Sequence, residues 1–327
     1  MKPDRAGNRP RAILAASTGG HLAQLVRLQS VLPIADDPIW ITFDHPQSRS
    51  LLGGQRVHYV PYIAPRDFKG ALAASPEVRQ IMKDSYYDIA ISTGAAIAAV
   101  ALPIARLHSR EAWYIESVSR FDGPSLTGKI VSKVPGIKTF TQHKGWADER
   151  WVHRFSVLQD YSPISEGVGA DAGRPRKVFV TLGTIKPYRF DRLVDRILEV
   201  IPAQDEITWQ VGETLREDLP GRVHITMPAD DLKREVSESD IVISHAGVGS
   251  AMQIMDLGKC PVLVPRRQTH GEHVDDHQEQ IARELANRGL ALTVDADRFS
   301  YEDLIAASRV RIKSTGLIRP IDVENKA

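Results

Sequence analysis

The sequence predicts an α/β protein of two Rossmann-like domains facing each other across a cleft. Three observations lead there. Short apolar, β-branched runs alternate with helical stretches along the chain, the pattern of a parallel sheet covered by helices on both faces. The alternation starts again near residue 177, after "SPISEGVGADAGRPR" (162–176), which is rich in Gly, Pro and Ala and reads as a linker. At 327 residues the chain is long enough for two domains of ordinary size. The expected division is 1–161, a linker over 162–176, and 177–327.

The first strand is "RAILAAS" (11–17). A Gly-Gly turn, "STGGH" (17–21), leads from it into the helix "HLAQLVRLQSVL" (21–32), where Leu22, Leu25, Val26 and Leu28 fall near helical spacing. "PIWITF" (38–43), "VHYVPY" (57–62), "DIAIST" (88–93), "AWYIES" (112–117) and "IKTFTQ" (137–142) continue the domain as strands. The second domain opens with "KVFVTLG" (177–183) and continues with "ITWQVG" (207–212), "RVHITM" (222–227), "DIVISHAG" (240–247), "CPVLVP" (260–265) and "LALTVD" (290–295).

Composition bounds the function. Hydrophobic residues make up 42% and charged residues 25%, as in soluble globular proteins. The single cysteine, Cys260, excludes an internal disulfide framework and fits a reducing cytoplasm. No run reaches the roughly 18 apolar residues of a membrane span. The start, "MKPDRAGNRPR", is basic and polar with no apolar signal region behind it, and reads as a disordered lead. The net charge of +1 conceals an asymmetry: residues 1–160 carry 20 Lys and Arg against 14 Asp and Glu, the remainder 22 against 27. Either two solvated surfaces differ by chance, or the first domain meets an anionic surface.

Three small-residue turns follow strands, where open α/β sheets hold ligands. They are "STGGH" (17–21), "TLGT" (181–184) and "SHAGVGS" (244–250), the last opening the helix "SAMQIMDLG" (250–258). Small residues let the backbone approach a ligand, Thr184 and Ser250 add hydroxyls, and amides at a helix start favour an anion. Each turn alone is also an ordinary helix cap; all three at strand ends in two like domains point to a diphosphate. His21 is either a helix cap or a catalyst on this evidence. A dinucleotide reading is weaker: neither "STGGHLAQ" nor "HAGVGSAMQ" has the G-x-G-x-x-G spacing, although Asp44 ends the second strand where a ribose-binding acid sits. "DAD" (295–297) has the D-x-D form of metal-dependent sugar transferases but lies late and reads as a helix start.

"FVTLGT" with "YRFDRLVD", "DIVISHAGVGS" and "DDHQEQIA" (275–282) resembles the nucleotide-sugar half of family 28 glycosyltransferases. "STGGH" and "YIESVSRFDGPSLTGKIV" (114–131) resemble the membrane-associated, acceptor-side subunit of the two-subunit N-acetylglucosaminyltransferase of dolichol-linked glycan assembly. The overall pattern is similar to bacterial exopolysaccharide transferases, here in fused form. The resemblance implies a GT-B fold, inverting transfer without a metal or other cofactor, a UDP-sugar donor, and a polyprenyl-diphosphate-linked saccharide as acceptor at the inner membrane face. By the same resemblance Gly183, Thr184, His245, Gly247, Gly249 and Ser250 would touch the donor diphosphate. The turn from Met227 to Asp231 would hold the uracil, Gln278 the sugar hydroxyls, with Asp276 and His277 nearby. Gln253 stands where related transferases often have a ribose-binding Glu.

Inverting transfer needs a base for the acceptor hydroxyl. His21 is the candidate, with Gly19 and Gly20 clearing space for the acceptor, and its pKa class suits neutral pH. Glu116, ending a strand, is the rival base; its structural alternative is a salt bridge with Arg120. Between Val118 and Lys144 the basic residues Arg120, Lys129, Lys133, Lys138 and Lys144 stand against Asp122 alone, interleaved with Leu126, Ile130, Val131, Val134 and Ile137. Together with "YIAPRDFKGALAA" (62–74), this segment is expected to hold the protein peripherally on anionic membrane. Arg266 and Arg267, at a strand end before Gln278, would clamp a carboxylate and so favour UDP-glucuronate. A nucleotide-sugar epimerase of the same fold and a non-catalytic nucleotide-sugar-binding scaffold are the alternatives. No nucleic-acid partner is expected.

Overall fold

The computed structural model describes residues 9–64, 67–165, 174–183, 186–273, 276–314 and 318. The chain divides into two compact units between Leu158 and Gln159.

In the first unit the chain runs β1 (Ala12–Ala16), α1 (Gly20–Gln29), β2 (Ile39–Phe43), α2 (Pro46–Leu51), β3 (Arg56–Val60), α3 (Phe68–Asp84), β4 (Ile89–Gly94), α4 (Ala96–Leu107), β5 (Glu111–Ile115), α5 (Leu126–Val131), β6 (Ile137–Thr141) and β7 (Trp151–His153). The seven strands form one parallel sheet in the order β3-β2-β1-β4-β5-β6-β7. β1, β2 and β4 are buried at every residue, which is why they read as unbroken apolar runs. α4 is apolar around most of its circumference because it is buried on several sides, through Ile97, Ala98, Ala101, Leu102 and Ala105. The three-residue β7 was invisible in the sequence, being too short to show a period.

The second unit runs β8 (Tyr161–Ser165), β9 (Lys177–Thr181), α6 (Asp191–Val200), β10 (Glu206–Gln210), β11 (Arg222–His224), α7 (Ala229–Glu238), β12 (Ile241–His245), α8 (Val248–Asp256), β13 (Val262–Val264), α9 (His277–Asn287), β14 (Leu292–Thr293), α10 (Tyr301–Ser308) and β15 (Val310–Ser314). Six strands form a second parallel sheet, β11-β10-β9-β12-β13-β14. β8 and β15 pair antiparallel outside it. The expected linker 162–176 therefore begins inside β8, a strand of the second unit; residues 166–173 of it lie outside the described residues. "DAD" does not start a helix either: α10 begins at Tyr301, capped by Ser300.

In both sheets the order reverses beside the first strand, between β1 and β4 and between β9 and β12. Loops leaving adjacent strands in opposite directions open a crevice at their carboxyl ends. No described helix is long and apolar enough to cross a membrane.

Candidate active site

The first switch point holds His21. β1 ends at Ala16, and Gly19 caps α1 with φ +89°, a conformation that favours glycine. Gln47 clamps this turn: its Oε1 accepts from the Gly19 amide at 2.6 Å and its Nε2 donates to the Gly19 carbonyl at 3.3 Å. His21 then enters α1 with its Nδ1 2.8 Å from the Thr93 carbonyl oxygen, at the end of β4. A carbonyl only accepts, so Nδ1 carries the hydrogen and Nε2 keeps the lone pair. Gly94 makes room: a Cβ there would lie 2.7 Å from His21 Cε1. Burial lowers the His21 pKa, the Thr93 bond opposes this, and the Arg120 charge lowers it further. The imidazole is neutral at pH 7.

Glu116 follows β5, as expected, but does not offer its carboxylate to an acceptor. It is fully buried and accepts from the Ser117 amide (3.0 Å), the Ser125 amide (2.8 Å), the Ser125 hydroxyl (3.0 Å) and the Tyr114 hydroxyl (3.2 Å). A Cβ on Gly128 would lie 2.3 Å from its Oε2. The carboxylate is the knot that folds residues 116–128 back on themselves. Burial raises its pKa, and the hydrogen bonds from Ser125 and Ser117 oppose the rise. Gln24 joins this loop to the His21 helix: Oε1 accepts from the Val118 amide and from Gln142 Nε2, both at 2.9 Å, and Nε2 donates to Ser117 Oγ and the Gly20 carbonyl, both at 3.1 Å. Sequence reasoning missed Gln24, Gln47, Thr93, Gly94 and Gln142. The only signal was a glutamine interrupting the apolar stripe of α1.

The second switch point holds His245, the last residue of β12. Its Nδ1 lies 3.4 Å from the Thr181 carbonyl at the end of β9. Its Nε2 lies between two glycine turns, 2.7 Å from where a Cβ of Gly183 would stand and 2.4 Å from that of Gly247. Gly183 has φ +77°. Burial, with the Arg266 charge second, pushes the His245 pKa down to about 3. Gly247 caps α8, and among the described residues no side-chain hydrogen bond caps that helix start. Val248, Gly249 and Ser250 are its first three residues, so their amides form the kind of N-terminus that binds anions. Gln253 lies one turn further, partly buried. Met227 precedes α7 and packs beside Phe179, Val236, Val242 and Ile254, which leaves backbone rather than side chain to meet a base. Thr184 lies outside the described residues, as does the His277 side chain.

The arginine clamp is not formed as expected. Arg266 is fully buried, donates from Nη2 to the Leu182 carbonyl and lies over the Phe190 ring, 5.5 Å from its centre. Arg267 is ion-paired with Asp295 at 2.7 Å, and its amide donates to Glu272 at 3.0 Å. Asp295 and Asp297 also pair with Arg192, so the "DAD" acids serve ion pairs. Gln278 is buried and its Oε1 accepts from the Arg266 amide at 3.0 Å. Asp276 accepts from the Gln268 amide at 2.8 Å and closes the loop before α9.

Of the basic segment, Lys129 and Lys133 are exposed, with Leu126 and Ile130 exposed beside them. Val131 and Ile137 are core residues, and Lys138 pairs with Glu111 at 3.5 Å. The Arg120 carbonyl accepts from Trp146 Nε1 at 2.8 Å. Tyr62, Phe68 and Leu72 expose 67%, 61% and 76% of their surface, more than a packed face needs.

Residues 177–309 match the glycosyltransferase family 28 C-terminal domain. The chain is 40% identical over 73 residues to "UDP-N-acetylglucosamine transferase subunit ALG13" of Yarrowia lipolytica, a match covering 22% of this chain and 35% of that subunit. The chain thus spans about a third of that relative's length. It is 25% identical over 314 residues to "UDP-N-acetylglucosamine--N-acetylmuramyl-(pentapeptide) pyrophosphoryl-undecaprenol N-acetylglucosamine transferase" of Chlorobium luteolum, covering 85% of this chain and 83% of the relative. The crystal structure of Acinetobacter baumannii MurG shares the fold, with a TM-score of 0.57 at 18% identity over 95% of this chain and 96% of that one.

Proposed function

We propose that this chain, a GT-B protein whose residues 177–309 form a glycosyltransferase family 28 C-terminal domain, transfers a sugar from a UDP-sugar to a lipid-linked acceptor with inversion. The observation that carries the reading is His21: a neutral imidazole at a switch point, its Nδ1–H committed to Thr93, so that Nε2 can take a proton. The acceptor oxygen attacks the anomeric carbon, its proton passes to Nε2, and the bond from that carbon to the diphosphate oxygen breaks. The α8 N-terminus stabilises the charge arriving on the leaving UDP. In this reading no metal or other cofactor takes part, and Gly19 and Gly20 border the acceptor.

UDP-N-acetylglucosamine is the donor we favour. It is the donor named for the relatives, and the carboxylate clamp is not supported: Arg266 is fully buried and Arg267 is ion-paired with Asp295. UDP-glucuronate, with exopolysaccharide as product, is the second reading; the similarity of the overall sequence pattern to bacterial exopolysaccharide transferases favours it. The acceptor is a polyprenyl-diphosphate saccharide, met by peripheral attachment to the inner membrane face through the exposed residues of α3 and α5.

Purified protein given a panel of UDP-sugars, with and without lipid-extracted acceptors, tests all of this. Lipid-dependent UDP release from UDP-N-acetylglucosamine is the expected result. Release from UDP-glucuronate alone selects the second donor, epimerised donor without acceptor selects an epimerase, and tight binding without turnover selects a scaffold.

A further inference from the structure

Beneath the Leu182–Gly183 turn lies a buried charge that no carboxylate bonds among the described residues. Arg266 is fully buried, and among the described residues its Nε and Nη1 have no hydrogen-bond partner. One nitrogen alone is bonded, to a carbonyl rather than a carboxylate. Glu272 is near enough to act on it, yet both Glu272 oxygens are taken, by Arg192 at 3.0 Å each and by the Arg267 amide. Phe190 offers only a ring face. The neighbouring titratable group, His245, is one whose charged form Arg266 opposes. Burying a guanidinium in this way costs stability, and replacing such charges by apolar side chains often stabilises a protein. The arrangement makes sense where a bound anion completes it. This charge bonds the carbonyl before Gly183 and acts on His245, whose Nε2 lies between Gly183 and Gly247, the residue that opens α8.

We propose that Arg266 is a charge-setting residue of the donor site: held under the Leu182–Gly183 turn, its guanidinium is the fixed positive charge that the donor's diphosphate completes. It acts through the turn and the field rather than by touching the sugar. The site thereby distinguishes a nucleoside diphosphate from a monophosphate, which brings less negative charge into the same field. This rests on the reading of the His245 turn as a nucleotide-sugar site.

Calorimetric titration with UDP and with UMP, on the wild type, Arg266→Met and Arg266→Lys, tests it, with melting of each protein in the absence of ligand. The wild type is expected to prefer UDP. Arg266→Met should lose about tenfold or more in UDP affinity, the scale of one charge interaction at intermediate dielectric, with a smaller loss for UMP. It should melt no lower than the wild type. Arg266→Lys, which keeps the charge, should retain most of the UDP preference. Equal losses for UDP and UMP, or unchanged UDP affinity, overturn the proposal. So does a Met variant that melts lower or fails to fold, because Arg266 is then a structural prop. If the wild type itself does not bind UDP, the nucleotide-sugar reading falls and takes this assignment with it.

Discussion

The His21 imidazole and Thr93 are joined twice: Nδ1 lies 2.8 Å from the Thr93 carbonyl oxygen, and the Thr93 hydroxyl donates to the His21 carbonyl at 2.7 Å. The pair ties the start of α1 to the end of β4 across the switch point, so the ring's orientation and its tautomer are set by the sheet. His21→Ala should therefore lower kcat by about 10²–10⁴, the usual contribution of a general base, and leave UDP affinity unchanged because the proposed donor residues lie in the other unit. Gly94→Ala should mimic it with the histidine still present, since the new methyl would stand 2.7 Å from Cε1 on a backbone at φ +129°. Steady-state kinetics beside calorimetric UDP binding checks both; near-normal kcat in His21→Ala removes the base.

Acid should spare the reaction longer than a free histidine would. Burial lowers the His21 pKa, so the base stays neutral below the ordinary value of about 6.5. The acid limb of the kcat profile should lie below that value, and a limb above it contradicts the assignment.

Stability should show the opposite sensitivity. His245 titrates at about 3 when folded and at about 6.5 when unfolded. Above 6.5 both states are neutral and the stability is intact. As pH falls below 6.5 the unfolded chain takes a proton that the folded one refuses, and stability is lost progressively toward pH 3. The melting temperature should fall between pH 7 and pH 4, and His245→Gln should flatten the fall. An equal slope in the variant would assign the loss elsewhere.

Glu116→Gln distinguishes a base from a knot. The amide can still accept, but it cannot satisfy four donors as the carboxylate does, and breaking a buried network of this kind costs about 1–3 kcal/mol. Thermal stability should drop while turnover per folded molecule stays within about tenfold of wild type, far from the loss expected of a base. Abolished turnover with unchanged melting would restore Glu116 as a catalyst.

Membrane attachment should depend on the exposed residues of α3, of α5 and of the turn after α5. Each basic residue near an anionic surface contributes about 1 kcal/mol, so Lys129→Glu with Lys133→Glu should weaken co-sedimentation with anionic vesicles by about thirtyfold or more. Phe68→Asp with Leu72→Asp should weaken it at any salt concentration. Vesicle binding that is absent in the wild type, or the same in all variants, ends the membrane reading.

The sheets and their glycine turns were legible in the sequence for a physical reason. A strand buried on both faces must be apolar throughout, as β1, β2 and β4 are, and a turn that brings backbone to a ligand needs small residues. His245 could be placed at a strand end, and His21 at the helix start that follows one, by that pattern alone. Side-chain direction and partnership could not. Arg267 meets Asp295, 28 residues away. Gln24 meets Gln142, 118 residues away, and Thr93 meets His21 across 72. The pairing of β8 with β15 claimed a stretch that read as linker. Local patterning determines which segments become strands and where their loops open. Tertiary structure decided that Glu116 is a knot, that Arg266 is buried and that Arg267 is paired, because a charged group's role depends on which distant acceptor or donor the fold sets beside it.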